Sequence, residues 1–172
     1  MVPQVETERL ILRGYGREDY PAFAEIWRDE RVVAPLGVAP LGEDEAWGRF
    51  CRYVGHWELL GFGTWAVTEK QSGAIVGEMG LFDFRRDLGP AYAGDPEQGW
   101  LMSVAAQGQG YATEAAHAAL AWGERHFAAF NPFCIISPEN APSLRVAAKV
   151  GYRETTRTLF KGAAAIILRL AR

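Results

Sequence analysis

Gln107-Gly108-Gln109-Gly110-Tyr111-Ala112 is the stretch on which the reading of this chain turns. The apolar run Trp100-Leu101-Met102-Ser103-Val104 leads into it, and an alanine-rich helical pattern over 113–127 follows it. A strand, a glycine loop and a helix start in succession make an anion site. The first helical N–H groups have no partner within the helix, and the macrodipole there favours negative charge. Gly108 and Gly110 let the backbone turn tightly and come close to a ligand. The expectation from this stretch alone is a bound phosphate or pyrophosphate.

The rest of the chain bounds what carries that phosphate. At 172 residues the chain reads as one domain, large enough to bury a core without disulfide or metal staples. A net charge of -3 leaves no basic footprint for nucleic acid. No run approaches the roughly 18 apolar residues of a membrane span, and the first residues show no signal-peptide pattern. The expected location is the cytoplasm. Cys51 and Cys134 lack CxxC spacing and read as small buried hydrophobes. His117 and His126 are nine apart and form no ligand pair, so no metal is expected.

Taken in order, 9–13 reads as a strand and 17–29 as a helix, with Tyr20, Phe23, Ile26 and Trp27 at helical spacing. Residues 33–42 hold two prolines and two glycines and read as a loop. The clearest helix is 43–60, with three acidic residues at its start and an apolar stripe of Trp47, Phe50, Cys51, Val54, Trp57 and Leu60. His56 falls off that stripe and reads as a surface residue. Residues 64–69 and 74–84 form a hairpin, 85–96 a loop and 97–104 the strand before the glycine loop. A short apolar strand at 133–137 reads as central, buried on both faces. A helix at 143–150 and strands at 152–159 and 163–170 complete the order. The pattern β-α-α-β-β-β-α-β-α-β-β predicts a mixed sheet with helices on it.

A Walker loop requires Lys after the last glycine, and none follows Gly110. A dinucleotide fingerprint starting at Gly108 would place Thr113 where Gly or Ala belongs. The loop instead resembles the Gln/Arg-x-x-Gly-x-Gly/Ala signature of the GNAT acetyltransferase superfamily, with Gln107, Gly110 and Ala112 on its three positions. A second segment, 140–152, is similar to that family's Asn-x-x-Ala/Ser-x-x-Leu-Tyr-x-x-x-Gly-Phe segment through Asn140, Ser143, Gly151 and Tyr152. Ile75-Val76-Gly77-Glu78, Glu97-Gln98-Gly99-Trp100-Leu101 and Glu6-Thr7-Glu8-Arg9-Leu10 resemble strands of its RimJ/RimL-like branch, which acetylates protein N-terminal amines.

The resemblance implies an α/β (α+β) GNAT fold: a mixed, mostly antiparallel sheet of six to seven strands with a central splay, flanked by about four helices. It implies acetyl-CoA as cosubstrate, with pantetheine pairing near Met102, Ser103 and Val104. The pyrophosphate would lie on Gln107, Gly108, Gln109, Gly110, Tyr111, Ala112 and Thr113, and Asn140 would bond the cofactor's amide arm. The partners implied are acetyl-CoA and an amine acceptor, with a protein N-terminus among the acceptors, for a chain acting as monomer or homodimer.

A thioester is already activated, so the chemistry reduces to moving protons and stabilising charge. An α-ammonium with a pKa near ~8, or an alkylammonium near ~10, must lose its proton before it attacks. Glu97, at the start of the cofactor strand, is the first candidate base; it reads equally as a surface carboxylate. Glu78 is the second, suited if buried and idle if it faces solvent. Backbone N–H groups at Ser103 or Val104 are the candidate oxyanion donors. Many family members use a tyrosine as leaving-group acid at the position held here by Ala147, so that role is absent. Ser143 is the substitute, or else an ordinary helix cap. Tyr111 and Tyr152 read as packing residues. Cys134 has no histidine beside it to act as a nucleophile.

Acceptor choice falls to the least family-like parts: 34–43, 85–96 and the hairpin around 160–162. Arg85 and Arg86 read either as attractors of an acidic acceptor or as solvated charges. The resemblance points to a peptide or protein α-amine, with a small amine, an amino acid, an antibiotic, or a non-catalytic acyl-CoA sensor as alternatives.

Overall fold

A computed structural model describes residues 1–171. Eight strands form one sheet in the order β1-β2-β3-β4-β5-β6-β8-β7. They are β1 (Val5–Glu6), β2 (Leu10–Arg13), β3 (Thr64–Glu69), β4 (Ile75–Phe82), β5 (Glu97–Met102), β6 (Phe133–Ile136), β7 (Tyr152–Phe160) and β8 (Ala163–Leu170). The expected seven strands are all present. The eighth, β1, is two residues long and is defined only by pairing Val5 with Leu12 and Glu6 with Ile11.

Every neighbouring pair is antiparallel except β5 and β6, which run parallel and touch at a single register, Glu97 opposite Phe133. Beyond that point the two strands diverge, so the sheet is split along its middle. The vertex is pinned by side chains. Arg169 bonds Asp95 and the Asn131 carbonyl, each at 2.8 Å. Gln98, fully buried, accepts from Tyr152 Oη at 2.8 Å and donates to the Ala116 carbonyl at 3.1 Å. Tyr152 is thus a strut of the vertex.

Helices α1 (Tyr20–Arg28), α2 (Glu30–Val33) and α3 (Glu43–Leu60) pack around Phe23, Trp27, Phe50, Tyr53 and Leu101 on one face of the sheet. Helices α4 (Tyr111–His126) and α5 (Ala141–Lys149) belong to the other cluster, where Ala115, Ala116 and Ala119 bring α4 close to the strands. Trp57, Trp65 and Trp122 interlock there with ring centroids 4.7–5.7 Å apart.

Five helices stand where about four are expected, α5 starts at Ala141 and not at 143, and three further details differ from the sequence expectation. Helix α3 has the expected ends, but its buried stripe is Ala46, Phe50, Tyr53 and Trp57. Trp47, Cys51, Val54 and Leu60 are exposed. The stripe is rotated because Tyr53 goes inward for its hydroxyl as well as its ring. Strand β5 ends at Met102, because 104–106 forms a 3-10 turn. Helix α4 starts at Tyr111, two residues early, because Gly110 takes φ 83° and serves as the cap itself.

Candidate active site

The glycine loop leaves β5 at its open end. Gly108 and Gly110 both lie at positive φ, 76° and 83°, and a side chain on Gly108 would meet only open space. The loop therefore presents bare backbone outward. The first bond of α4 runs from the Glu114 N–H to the Gly110 carbonyl at 3.0 Å. The N–H groups of Tyr111, Ala112 and Thr113 precede it and have no acceptor within the helix. Gln107 and Gln109 turn their amides back onto the Met102 and Ala105 carbonyls at 3.2 and 2.7 Å, which holds the loop's shape. The cradle suits a pyrophosphate on two counts, exposed donors at a helix start and room for close approach.

Arg9, whose role the sequence did not reveal, locks this loop. It donates to the Gln109 carbonyl at 2.9 Å and to Glu114 at 2.8 Å, and its guanidinium lies 4.6 Å over the Tyr111 ring. Tyr111 is buried and its hydroxyl meets Glu69, consistent with a packing role.

The gap between β5 and β6 is a cleft of about 360 Å³. The Ser103 N–H points to β4, bonding the Val76 carbonyl at 2.9 Å, while the Pro96 carbonyl points to β6, accepting from Phe133 at 3.2 Å. By the alternation of a strand, the backbone groups of Gln98, Trp100 and Met102 face the gap. Ser103 is therefore not available as an oxyanion donor, and of the two expected donors only Val104 remains.

Both candidate carboxylates are buried, so neither reading that left them in solvent holds. Glu78 opposes Leu101 and Glu97 opposes Phe82 across the β4–β5 ladder, so both side chains leave the same sheet face. They stand at opposite ends of it, four residues or roughly 13 Å apart, and cannot serve one reacting atom. Gly80 and Gly99 lie between them, roofed by the Phe82 ring.

Glu97 sits at the closed vertex and is gripped by Arg86, whose Nε and Nη2 donate to its two oxygens. Burial raises its pKa, and the guanidinium opposes that rise. Glu78 sits where the sheet opens. It accepts from Trp27 Nε1 at 3.0 Å and Tyr53 Oη at 2.8 Å and has no ion-pair partner within 4 Å among the described residues. Burial raises its pKa, and its two donors pull the other way. Burial and the nearby Glu78 hold the Tyr53 hydroxyl far above its ordinary value, so it stays a donor.

Across the gap, Asn140 is buried and caps α5, its Oδ1 accepting the Ser143 N–H at 3.1 Å. The cap is thus Asn140, and Ser143 is the third helical residue, leaving its hydroxyl uncommitted at the cleft wall. Ala147, one turn on, is fully buried. Cys134 also lines the cleft, with burial pushing its thiol up and away from nucleophilic use.

An eight-stranded split sheet with a glycine-loop cradle at its open end has known relatives. The acetyltransferase (GNAT) domain model matches residues 9–153. The chain belongs to the GNAT acetyltransferase family. The acetyltransferase is 26% identical over 151 residues to the uncharacterised N-acetyltransferase YnaD of Bacillus subtilis, covering 87% of this chain and 82% of that one. Among solved structures it superposes on a GnaT-family acetyltransferase from Bordetella pertussis at TM-score 0.87 and 31% identity, covering 98% and 99% of the two chains. It also superposes on an acetyltransferase from Agrobacterium tumefaciens str. C58 at 0.85 and 27%, covering 100% and 96%. The acetyltransferase uses acetyl-CoA as its acetyl donor and an amine as acceptor.

Trp27, Tyr53 and Arg49 complete the cleft wall, and sequence reasoning passed over all three. Trp27 and Tyr53 look like core aromatics at helical spacing. Only pairing across α1, α3 and β4 reveals that both polar tips converge on Glu78. Arg85 is exposed beside Asp83 and Arg86 is occupied by Glu97, so neither is a free attractor for an acceptor.

Proposed function

We propose that this chain is a RimJ/RimL-like enzyme that moves an acetyl group from acetyl-CoA directly to the α-amine of a peptide or protein, with Glu78 as general base. The observation that carries this reading is the placement of Glu78: a buried carboxylate without an ion-pair partner among the described residues, held by two donors, where β5 and β6 part. A carboxylate whose pKa is raised by burial is a stronger base toward an ammonium than one in water. Glu97, the other candidate, is held by Arg86 at the closed end. Its charge serves the vertex better than it serves an amine.

Bound acetyl-CoA supplies an acyl carbon already activated by its thioester. The loop 107–113 and Asn140 would hold its pyrophosphate and amide arm. Glu78 takes the proton from the incoming ammonium, directly or through water. The neutral nitrogen attacks the acetyl carbon, and the Val104 N–H faces the charge that develops on the acetyl oxygen. The C–S bond breaks, and the Ser143 hydroxyl donates a hydrogen bond to the departing sulfur. The amide nitrogen gives up its second proton, which balances the thiol.

Ala147 in place of a tyrosine favours one other reading, a module that binds acyl-CoA without turnover. Thiol release from acetyl-CoA with a panel of N-terminal peptides, amino acids and amines separates the two. Turnover on a peptide amine supports the proposal; tight CoA binding without turnover on any acceptor contradicts it.

A further inference from the structure

The acceptor side of the cleft carries an imbalance of charge. Two carboxylates line it and a third, Asp83, stands just outside it; all have partners. Glu78 is bonded by Trp27 and Tyr53, Glu97 by Arg86, and Asp83 by Arg85 and its backbone N–H. The cations are otherwise placed. Arg49 lies 3.9 Å over the Trp27 ring and reaches only the Tyr53 hydroxyl, at 3.5 Å. Lys161 lies 5.7 Å over Phe160, and Arg52, exposed at the cleft's rim, lies 4.7 Å over Phe84, which lines it. None of the three has a cleft carboxylate within 4 Å among the described residues. Arg49 and Arg52 are i and i+3 on one helix, a like-charge pair that destabilises α3 unless an anion sits between them. Burial and the neighbouring Arg49 depress the Arg52 pKa, while the charge of Glu78, felt through space and not by an ion pair, acts the other way.

From this we infer that the acceptor carries an anionic group close to the amine, and that Arg49 and Arg52 receive it. The inference rests on the proposed transfer to an amine at Glu78. Tyr53 touches both Glu78 and Arg49, so the two ends of the acceptor are recognised within a few bonds of each other. A carboxylate near an amine has two sources, the α-carboxylate of a free amino acid or an acidic side chain at a peptide N-terminus. A polyamine, with no anion, would be repelled by the same arginines. A guanidinium pair over aromatic rings also presents planar forks suited to a carboxylate.

The test is acetyl transfer to two matched pairs: alanine against alaninamide, and Asp-Ala amide against Asn-Ala amide. In at least one pair the anionic member should have a kcat/KM about tenfold higher at low salt. The pair showing it identifies the source, and Arg49→Gln/Arg52→Gln should bring that ratio close to one. Equal or better use of the neutral member in both pairs overturns the inference, as does a ratio the double variant leaves unchanged. The N-acetylated forms of the same compounds are also titrated calorimetrically against protein with CoA. That comparison needs no turnover: an anionic preference abolished in the double variant upholds the inference, and no preference overturns it. Failure of every acceptor to turn over would instead sink the proposed function.

Discussion

The Tyr53 hydroxyl, on α3, donates to Glu78 Oε1, on β4, at 2.8 Å. This bond ties the helix layer to the sheet at the point where β5 and β6 part. It also tunes the carboxyl, since a donor to the ionised form lowers its pKa. Tyr53→Phe should therefore raise the Glu78 pKa further. The acid limb of the kcat/KM profile should move to higher pH, with the plateau rate reduced only modestly. A purely structural tyrosine would change the melting temperature and leave the limb in place.

The Arg86–Glu97 pair predicts a stability effect. Arg86→Met leaves a buried carboxylate alone, which should destabilise the chain by about 3–5 kcal/mol. Glu97 has a folded pKa above its ordinary value even with its partner, and losing Arg86 raises it more. The variant should then recover as pH falls and Glu97 takes a proton. Arg86→Met/Glu97→Leu should restore most of the loss at neutral pH. Melting curves from pH 5 to 8 read all three outcomes.

Two glycines of the cofactor side should behave differently. A Cβ on Gly77 would stand 2.2 Å from the Leu101 carbonyl, so Gly77→Ala breaks the β4–β5 ladder and should abolish folding. A Cβ on Gly108 meets nothing within 4 Å, but its φ of 76° disfavours a side chain. Gly108→Ala should fold, lose about 1 kcal/mol of stability and bind CoA more weakly. Circular dichroism and CoA titration distinguish these results.

Asn140 has a cap role that is visible and a cofactor role that is proposed. Asn140→Ala removes the cap and should cost about 1 kcal/mol as well as CoA affinity. Asn140→Asp keeps an acceptor for the Ser143 N–H but loses the amide donor. It should keep the melting temperature and still weaken CoA binding, which an exclusively capping residue would not do.

What the sequence made legible follows from what is local. The bounds of α3 were readable because acidic residues and Gly61 mark its ends. The cradle was readable because strand, glycines and helix start are contiguous. Arg9 was not, since it reaches the Gln109 carbonyl from 100 positions away. The buried face of α3 is not legible from apolar spacing, because polar Tyr53 and Arg49 are the residues turned toward the cleft. Glu78 and Glu97 read alike as carboxylates on strands; only the register of β4 against β5, and the vertex at Phe133, sets one at the opening and the other at the closed end.

The most direct test compares Glu78→Gln and Glu97→Gln in the pH dependence of kcat/KM, with melting temperatures measured alongside. Glu78 is held above its ordinary value of 4.5 in the folded chain, so its ionisation opposes folding as pH rises past that value. Glutamine can still accept from Trp27 and donate to the Tyr53 oxygen. Glu78→Gln should thus hold or raise the melting temperature at neutral pH while lowering kcat/KM by about 10²–10⁴-fold and erasing the acid limb. Glu97→Gln should lower the melting temperature and keep the limb. An acid limb that survives in Glu78→Gln and disappears in Glu97→Gln would contradict the assignment of Glu78 as the base.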